Sequence, residues 1–300
     1  MEQALAPNTR KTYYTNFQKC RQFIETILNQ RAIMPFTTEQ LHLYVAYMHS
    51  QHLKHTTIVS HLSAIAHYHK MQQLQDPTTA YPTIKLLAGV RNSQSSPPDQ
   101  RLPITRSVLL ALVTVLPACT TSNYEARLYK SMYTLMYYAC LRASEALHTE
   151  TPQHNLTISN LTLFPAADHF NITFNSFKHS LNNNPIITVS STHAPDCPVQ
   201  ALQDYLPLRG SLPGPLFIKN SQPILRNSFT STLKACLKYI NLPNTNYNIH
   251  SFRIGRTTDM AQQNISHGAI QQIGRWKSNA FLKYVRPHSI LAQPSAAGTH

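Results

Sequence analysis

Phe170-Asn-Ile-Thr-Phe-Asn175 alternates apolar and polar side chains without a break, the period of a strand with one buried face. It interrupts a chain patterned for helices on both sides. Asn160 to Phe164 carries a weaker alternation, Asn182-Asn-Asn-Pro185 reads as a loop, and Ile186 to Val189 reads as a further strand. The expected fold is mainly α with one small antiparallel β-sheet.

Helical spacing resumes in both directions. Upstream, helix signals run through Ser107 to Leu116 and through Glu125 to Leu147, the latter carrying Leu128, Met132, Leu135, Met136 and Cys140 inside. Downstream come Pro198 to Leu206, Ser228 to Ile240, Ser251 to Gln263, Ala269 to Arg275 and a short helix near Tyr284. Toward the N-terminus, Asn8-Thr9 caps a helix through Leu28 bearing Tyr13, Phe17, Phe23 and Ile27. A second helix follows Thr37-Thr38 with Leu41, Tyr44, Val45 and Met48 on one face. A third carries Ile58, Leu62, Ile65 and Tyr68, and a shorter fourth spans Ile84 to Val90. Residues 93–103, Ser-Gln-Ser-Ser-Pro-Pro-Asp-Gln-Arg-Leu-Pro, join small polar residues to prolines that cannot sit inside a helix. The sequence thus predicts a helical domain over 1–92, a linker over 93–103 and a second domain over 104–300.

The chain of 300 residues, 42% of them hydrophobic, is long enough for two separate cores. Lysines and arginines number 26 against 12 acidic residues, a formal charge of +14 that arises because acids are scarce. Nine bases face five acids in the first hundred residues and seventeen face seven beyond them, so the excess lies mostly in the second part. A polyanionic partner is expected, nucleic acid first. The five cysteines are an odd number without a Cys-x-x-Cys pair and read as free thiols of a reducing compartment. No leader pattern opens the chain and no segment reaches the length of a membrane span, which predicts a soluble intracellular protein.

Three segments carry candidate chemistry. Tyr137-Tyr-Ala-Cys-Leu-Arg-Ala-Ser-Glu-Ala-Leu147 places Arg142 three residues before Glu145, the spacing of an ordinary helical ion pair. His250-Ser-Phe-Arg-Ile-Gly-Arg256 sets His250 and Arg253 on one helix face, where imidazole and guanidinium can address one phosphate. Ile273-Gly-Arg-Trp-Lys-Ser-Asn-Ala-Phe-Leu-Lys-Tyr-Val-Arg-Pro287 holds the only tryptophan, with Lys283 and Arg286 beside Tyr284, one of fifteen tyrosines.

Taken in order, Arg142, a hairpin lysine at Lys178, His250-x-x-Arg253, Trp276 and Tyr284 resemble the tyrosine recombinases and integrases. Cys140-Leu-Arg-Ala-Ser-Glu-Ala-Leu147 and Ile273-Gly-Arg-Trp276 look most like the recombinases of eukaryotic mobile elements of the DIRS and Crypton kind. Residues 8–92 look like the family's helical core-binding, SAM-like domain, and residues 104–300 like its catalytic domain. The resemblance implies site-specific cutting and rejoining of double-stranded DNA through a 3′-phosphotyrosyl intermediate, inside a homo-oligomeric, tetrameric synapse. Tyr284 is then the nucleophile and Arg142 and Arg253 the clamp on the non-bridging oxygens. His250 binds the phosphate or moves the tyrosine proton, and Lys178, ahead of its neighbour His179, protonates the departing 5′ oxygen. Glu145 buttresses Arg142 or merely pairs with it. No metal, nucleotide or other cofactor is implied, because the phosphotyrosyl bond keeps the energy for religation. The family usually spaces its histidine or tryptophan nine residues before the nucleophile, whereas here Trp276 stands eight before Tyr284 and Arg275 nine. Trp276 is the preferred occupant, since an indole N–H can donate to phosphate. Sixteen residues follow Tyr284, broken by Pro287 and Pro294, which leaves little for the family's C-terminal docking helix.

Arg10, Lys11, Arg21, Lys54 and Lys70 in the first domain and Lys234, Lys238, Lys277 and Arg286 in the second are candidate phosphate contacts. The sixteen histidines, His49, His52, His55, His67 and His69 among them, lack metal-ligand spacing. Two other readings share the pattern: strand relaxation of the type IB topoisomerase kind, and DNA binding without catalysis. A mobile-element origin places the protein in a nucleus, a bacterial one in the cytoplasm.

Overall fold

A computed structural model describes residues 5–94, 99–148, 154–164, 168–174 and 185–286. The chain divides into two compact units, Met1–Pro98 and Asp99–His300. Residues 95–98 of the expected linker, residues 175–184 with Lys178 and His179, and residues 287–300 lie outside the described residues.

The first unit is four helices: α1 (Pro7–Thr26), α2 (Thr38–Ser50), α3 (His55–Met71) and α4 (Tyr81–Ser93). Prolines open α1 and α4, where the missing N–H costs nothing. Thr37 caps α2 reciprocally with Gln40: the Gln40 N–H donates to the threonine hydroxyl and the Thr37 N–H to the glutamine carbonyl. The core joins Phe17, Cys20 and Ile24 of α1 to Tyr44, Val45 and Met48 of α2 and Ile58, Leu62 and Ile65 of α3. Phe17 and Phe23 of α1 are buried as expected, with Cys20 and Ile24 beside them, whereas Ile27 is left exposed. Two histidines belong to this core. His69 accepts the Phe36 N–H at Nε2 (2.9 Å) and meets the Ile65 carbonyl at Nδ1 (2.8 Å), an arrangement that suits the neutral ring. His61 meets the Tyr44 hydroxyl at 2.8 Å, and burial, with Lys19 nearby, pushes its pKa down to about 4.

The second unit holds α5 (Arg106–Cys119), α6 (Asn123–Tyr138), α7 (Ala143–Ala146), β1 (Leu161–Phe164), β2 (His169–Thr173), β3 (Ile186–Ser190), α8 (Pro198–Arg209), β4 (Ile218–Lys219), β5 (Gln222–Pro223), α9 (Arg226–Tyr239), α10 (His250–Gln262) and α11 (His267–Gly274). A 3-10 turn, Asn279–Tyr284, follows α11. β1, β2 and β3 form one antiparallel sheet in sequence order, with Phe170 opposite Val189 and Ile172 opposite Ile187. Phe170, Ile172 and Phe174 are buried, as their alternation requires. The small hairpin β4–β5 is not foreshadowed by any periodicity. The helix expected over Glu125 to Leu147 is two helices: α6 stops at Tyr138, Cys140 turns left-handed (φ 50°) and Arg142 stands extended before α7.

α10 is buried through the middle of this unit, with Phe252 set against Tyr133 and Phe229. Ile104 is fastened to the first turn of α10 by a backbone bond to Ser251, and Leu102 to the segment leading into it by a bond to Asn246. Asp259 accepts from the Tyr137 hydroxyl and the Arg106 N–H, while Asp196 accepts from Tyr138 and the Arg106 guanidinium, so α5, α6 and α10 share one polar network. No helix among the described residues is long and apolar enough to cross a membrane.

Gly255 sets the approach of α10. A Cβ there would stand 1.7 Å from the Ile104 carbonyl oxygen, a backbone atom that cannot swing aside. Gly255→Ala gains up to about 1 kcal/mol of helix propensity but forces backbone apart, at about 3 kcal/mol or more. The variant is expected to unfold at lower urea concentration than the wild type; equal or greater stability would show that this approach is slack.

Candidate active site

Several separate stretches of the second unit converge on one cleft of 790 Å³. The break after α6 supplies Arg142 and Ser144, the start of α10 supplies His250 and Arg253, and the end of α11 supplies Arg275, Trp276 and Lys277. The 3-10 turn contributes Lys283 and Tyr284, and the first residue of α9 contributes Arg226. No carboxylate lines the cleft among the described residues. Its surface is therefore shaped for an anion.

Arg253 forms the floor. It is 2% exposed and donates to the backbone carbonyls of Cys140 and, at 2.5 Å, Gly274. Burial, with Arg142 and Arg275 close by, lowers it to about 10, so it stays charged at neutral pH. Its guanidinium carbon lies 3.9 Å from the Trp276 ring centroid and 5.7 Å from that of Tyr284. The two rings are 5.4 Å apart. Arginine, tryptophan and tyrosine thus form one packed group in which the cation sits on aromatic faces. Gly274 makes room for it, since a Cβ at that position would stand 1.6 Å from the indole.

Glu145 lies behind this group. Its carboxylate accepts from the Arg142 N–H (2.7 Å), the Arg142 guanidinium (2.9 Å) and the Arg275 guanidinium (2.7 Å). Burial alone would raise this carboxyl, but Arg275 and Arg142 outweigh it and hold it below the ordinary value. Arg142 also donates to the Arg275 carbonyl at 3.1 Å. The expected pairing of Arg142 with Glu145 is present, with a second arginine on the same carboxylate.

His250 is half-buried at the mouth of α10, its N–H donating to Asn248 at 2.8 Å. Burial and then Arg101, Arg226 and Arg253 lower its pKa below 6.5. The ring is therefore neutral at neutral pH and able to accept a proton. Tyr284 ends the 3-10 turn, whose Phe281 packs with Met260 and Ile270 in a small separate core. Thr258 donates to the Tyr284 carbonyl (3.3 Å) and accepts the Arg286 N–H (3.1 Å), fastening the segment to α10.

The structure thus brings together Arg142, His250, Arg253, Trp276 and Tyr284; Lys178 and His179 lie outside the described residues. Trp276 lays its ring on Arg253, while Arg275 turns its guanidinium to Glu145 and the face of Phe174, 4.1 Å away. Among the expected phosphate contacts, Lys277 lines the cleft and Arg286 pairs with Asp99 at 2.6 Å. Lys234 and Lys238 are exposed on α9, and Arg10, Lys11 and Lys54 are exposed on the first unit. Arg21 pairs with Glu25 and Lys70 with Asp76. Sequence reasoning missed Arg226. Nothing local marks it, because only the packing of α9 beside α10 brings it to the cleft.

No protein-family model and no curated protein matches the sequence. Solved structures do match. The Tn1549 transposon integrase in complex with a circular intermediate DNA is 17% identical, covers 94% of this chain and 90% of its own, and superposes with a TM-score of 0.64. The site-specific recombinase XerH bound to palindromic difH substrate is 14% identical over 93% of this chain and 75% of its own, TM-score 0.64. A lambda integrase dimer bound to a COC′ core site is 13% identical over 93% and 72%, TM-score 0.60. The chain has the fold of these integrases and recombinases.

Proposed function

We propose that this protein is a site-specific DNA recombinase or integrase that cleaves and rejoins strands through a 3′-phosphotyrosyl intermediate on Tyr284. The observation that carries the reading is the convergence of Arg142, His250, Arg253, Trp276 and Tyr284, from distant parts of the sequence, on one cleft that no carboxylate lines among the described residues. The solved neighbours were captured on DNA, as the transposon integrase on a circular intermediate and XerH on difH. A duplex is accordingly the substrate class proposed here, engaged by a homo-oligomeric, tetrameric synapse.

The chemistry balances without an outside energy source. The Tyr284 oxygen attacks phosphorus and its O–P bond forms as the bond from phosphorus to the 5′ oxygen breaks. The tyrosine proton passes to neutral His250 or to water, and Lys178 gives a proton to the leaving 5′ oxygen. Arg142 and Arg253 face the non-bridging oxygens, whose negative charge grows as the fifth ligand arrives. Arg253 spends two N–H groups on backbone carbonyls, and its remaining donors serve the phosphate. Attack by a 5′ hydroxyl on the phosphotyrosine reverses the step and rejoins a strand.

Incubated with a nicked suicide substrate, wild type is expected to form a covalent protein–DNA adduct and Tyr284→Phe none; a wild type without adduct ends this reading. Arg142→Ala and Arg253→Lys are expected to lose cleavage by about 100-fold or more while duplex binding changes little. Lysine is chosen at 253 because alanine would leave two buried carbonyls unpaired. Equal losses in binding and cleavage would remove both residues from the transition-state clamp. Because burial, then Arg101, Arg226 and Arg253, outweigh Asp99 and hold His250 below its ordinary value, adduct formation is expected to persist on acidification through 6.5 and to fall below it. His250→Asn should lack that acid limb, and a variant that keeps it excludes His250 from proton transfer.

A further inference from the structure

Arg275 occupies a position where its backbone is at a disadvantage. It ends α11 in the left-handed conformation, φ 56° and ψ 45°, where glycine or asparagine is the usual occupant and another residue loses about 1 kcal/mol. The side chain has to account for an arginine here.

That side chain is buried, 2% exposed, and its terminal donors are all engaged. One terminal nitrogen donates to the carbonyls of Ala139 (3.1 Å) and Ile273 (3.2 Å). The other donates to the Cys140 carbonyl (3.3 Å) and to Glu145 (2.7 Å). A guanidinium has five N–H groups: the four on the terminal nitrogens are engaged, so none of these is left for a phosphate, and the fifth, on Nε, is buried away from the surface without a hydrogen-bond partner among the described residues. Two of the carbonyls belong to the left-handed turn that delivers Arg142, and the Arg275 carbonyl accepts from the Arg142 guanidinium.

We infer that Arg275 is a positioning residue for Arg142, acting through the Glu145 carboxylate and the Ala139–Cys140 turn, and does not itself bind the scissile phosphate. This rests on the recombinase reading. Without Arg275, the buried carboxylate keeps Arg142 as its direct cation, with Arg253 further off, and the turn loses two hydrogen bonds. Arg142 then loses the geometry that aims it, and misplacement by about 1 Å costs about 100-fold in rate. The groups facing Glu145 are Arg142, Arg253 and Arg275. All three are cations. Removing one raises the carboxyl toward protonation, and a protonated Glu145 releases Arg142 as the pH falls.

The test is the initial rate of adduct formation on a nicked suicide substrate between pH 5.5 and 8.5, with duplex binding and thermal melting measured alongside. Arg275→Met is expected to bind duplex like wild type, to form adduct about 100-fold more slowly, and to lose activity on acidification at a higher pH than wild type. Arg275→Met/Glu145→Gln should lose that added acid sensitivity, since no carboxyl remains to titrate; a merely structural lesion would keep the same profile in both. Arg275→Lys keeps the charge without the fork, which keeps the inference testable should the methionine variant not fold. It should show the wild-type acid profile with a reduced rate. A wild-type rate in either Arg275 variant, or a drop in duplex binding as large as the drop in cleavage, overturns the inference. Wild type is the internal control: if it forms no adduct, the recombinase reading has failed, whereas adduct in wild type and unimpaired Arg275 variants would refute the positioning role alone.

Discussion

A single buried carboxylate, Glu145, stands among three guanidinium groups, and the local backbone is bent to make that tolerable. Arg142 and Arg275 hydrogen-bond to it directly, and Arg253 lies close enough to feel its charge. At an effective dielectric of about 20, two like charges 4 Å apart repel by about 4 kcal/mol. One anion cannot neutralise three cations. The shortfall is eased by carbonyl dipoles from Ala139, Cys140, Ile273, Gly274 and Arg275, each accepting from one of these arginines and Cys140 from two. Two left-handed residues, Cys140 and Arg275, turn the chain where those carbonyls are supplied. Dipoles soften the repulsion without cancelling it, so the cleft remains short of negative charge. A phosphodiester gaining charge as it is attacked completes the cluster better than one at rest, which is the condition for lowering a barrier and not merely binding a substrate.

How much of this was legible in the sequence depended on whether the signal was local. Alternation at Phe170, Ile172 and Phe174 records a buried face, and the strand appears within one residue of its expected place. Leu41, Tyr44, Val45 and Met48 likewise are the buried face of α2. The break at Cys140 was not legible, because Tyr137 to Leu147 keeps its apolar content through the turn and a left-handed cysteine has no sequence mark. Arg226 was invisible for a different reason: an exposed arginine at a helix start is common, and only tertiary packing gives it a neighbour. The choice between Trp276 and Arg275 also turned on packing. Spacing counted along the chain fits Arg275, whereas Gly274 leaves space for the indole against Arg253 and the Arg275 guanidinium pairs with Glu145.

The candidate nucleophile is supported differently from the cations it faces. Arg142 and Arg253 rise from the main core of the second unit, in which α6 and α10 are buried along most of their length. Tyr284 ends a 3-10 turn resting on Met260, Ile270 and Phe281, a core of its own. Burying Phe281 contributes about 2–3 kcal/mol, a small anchor beside the packing of the main core. The hydroxyl of Thr258 ties the chain just after the tyrosine side chain to α10, through the Tyr284 carbonyl and the Arg286 N–H. This division suits the proposed reaction, in which the phosphate clamp would stay fixed while Tyr284, joined to DNA, would follow the strand it holds. Regions with few buried apolar contacts open at lower free energy than the core around them. The fold therefore sets the candidate phosphate clamp on the main core and the candidate nucleophile on an element with fewer buried apolar residues.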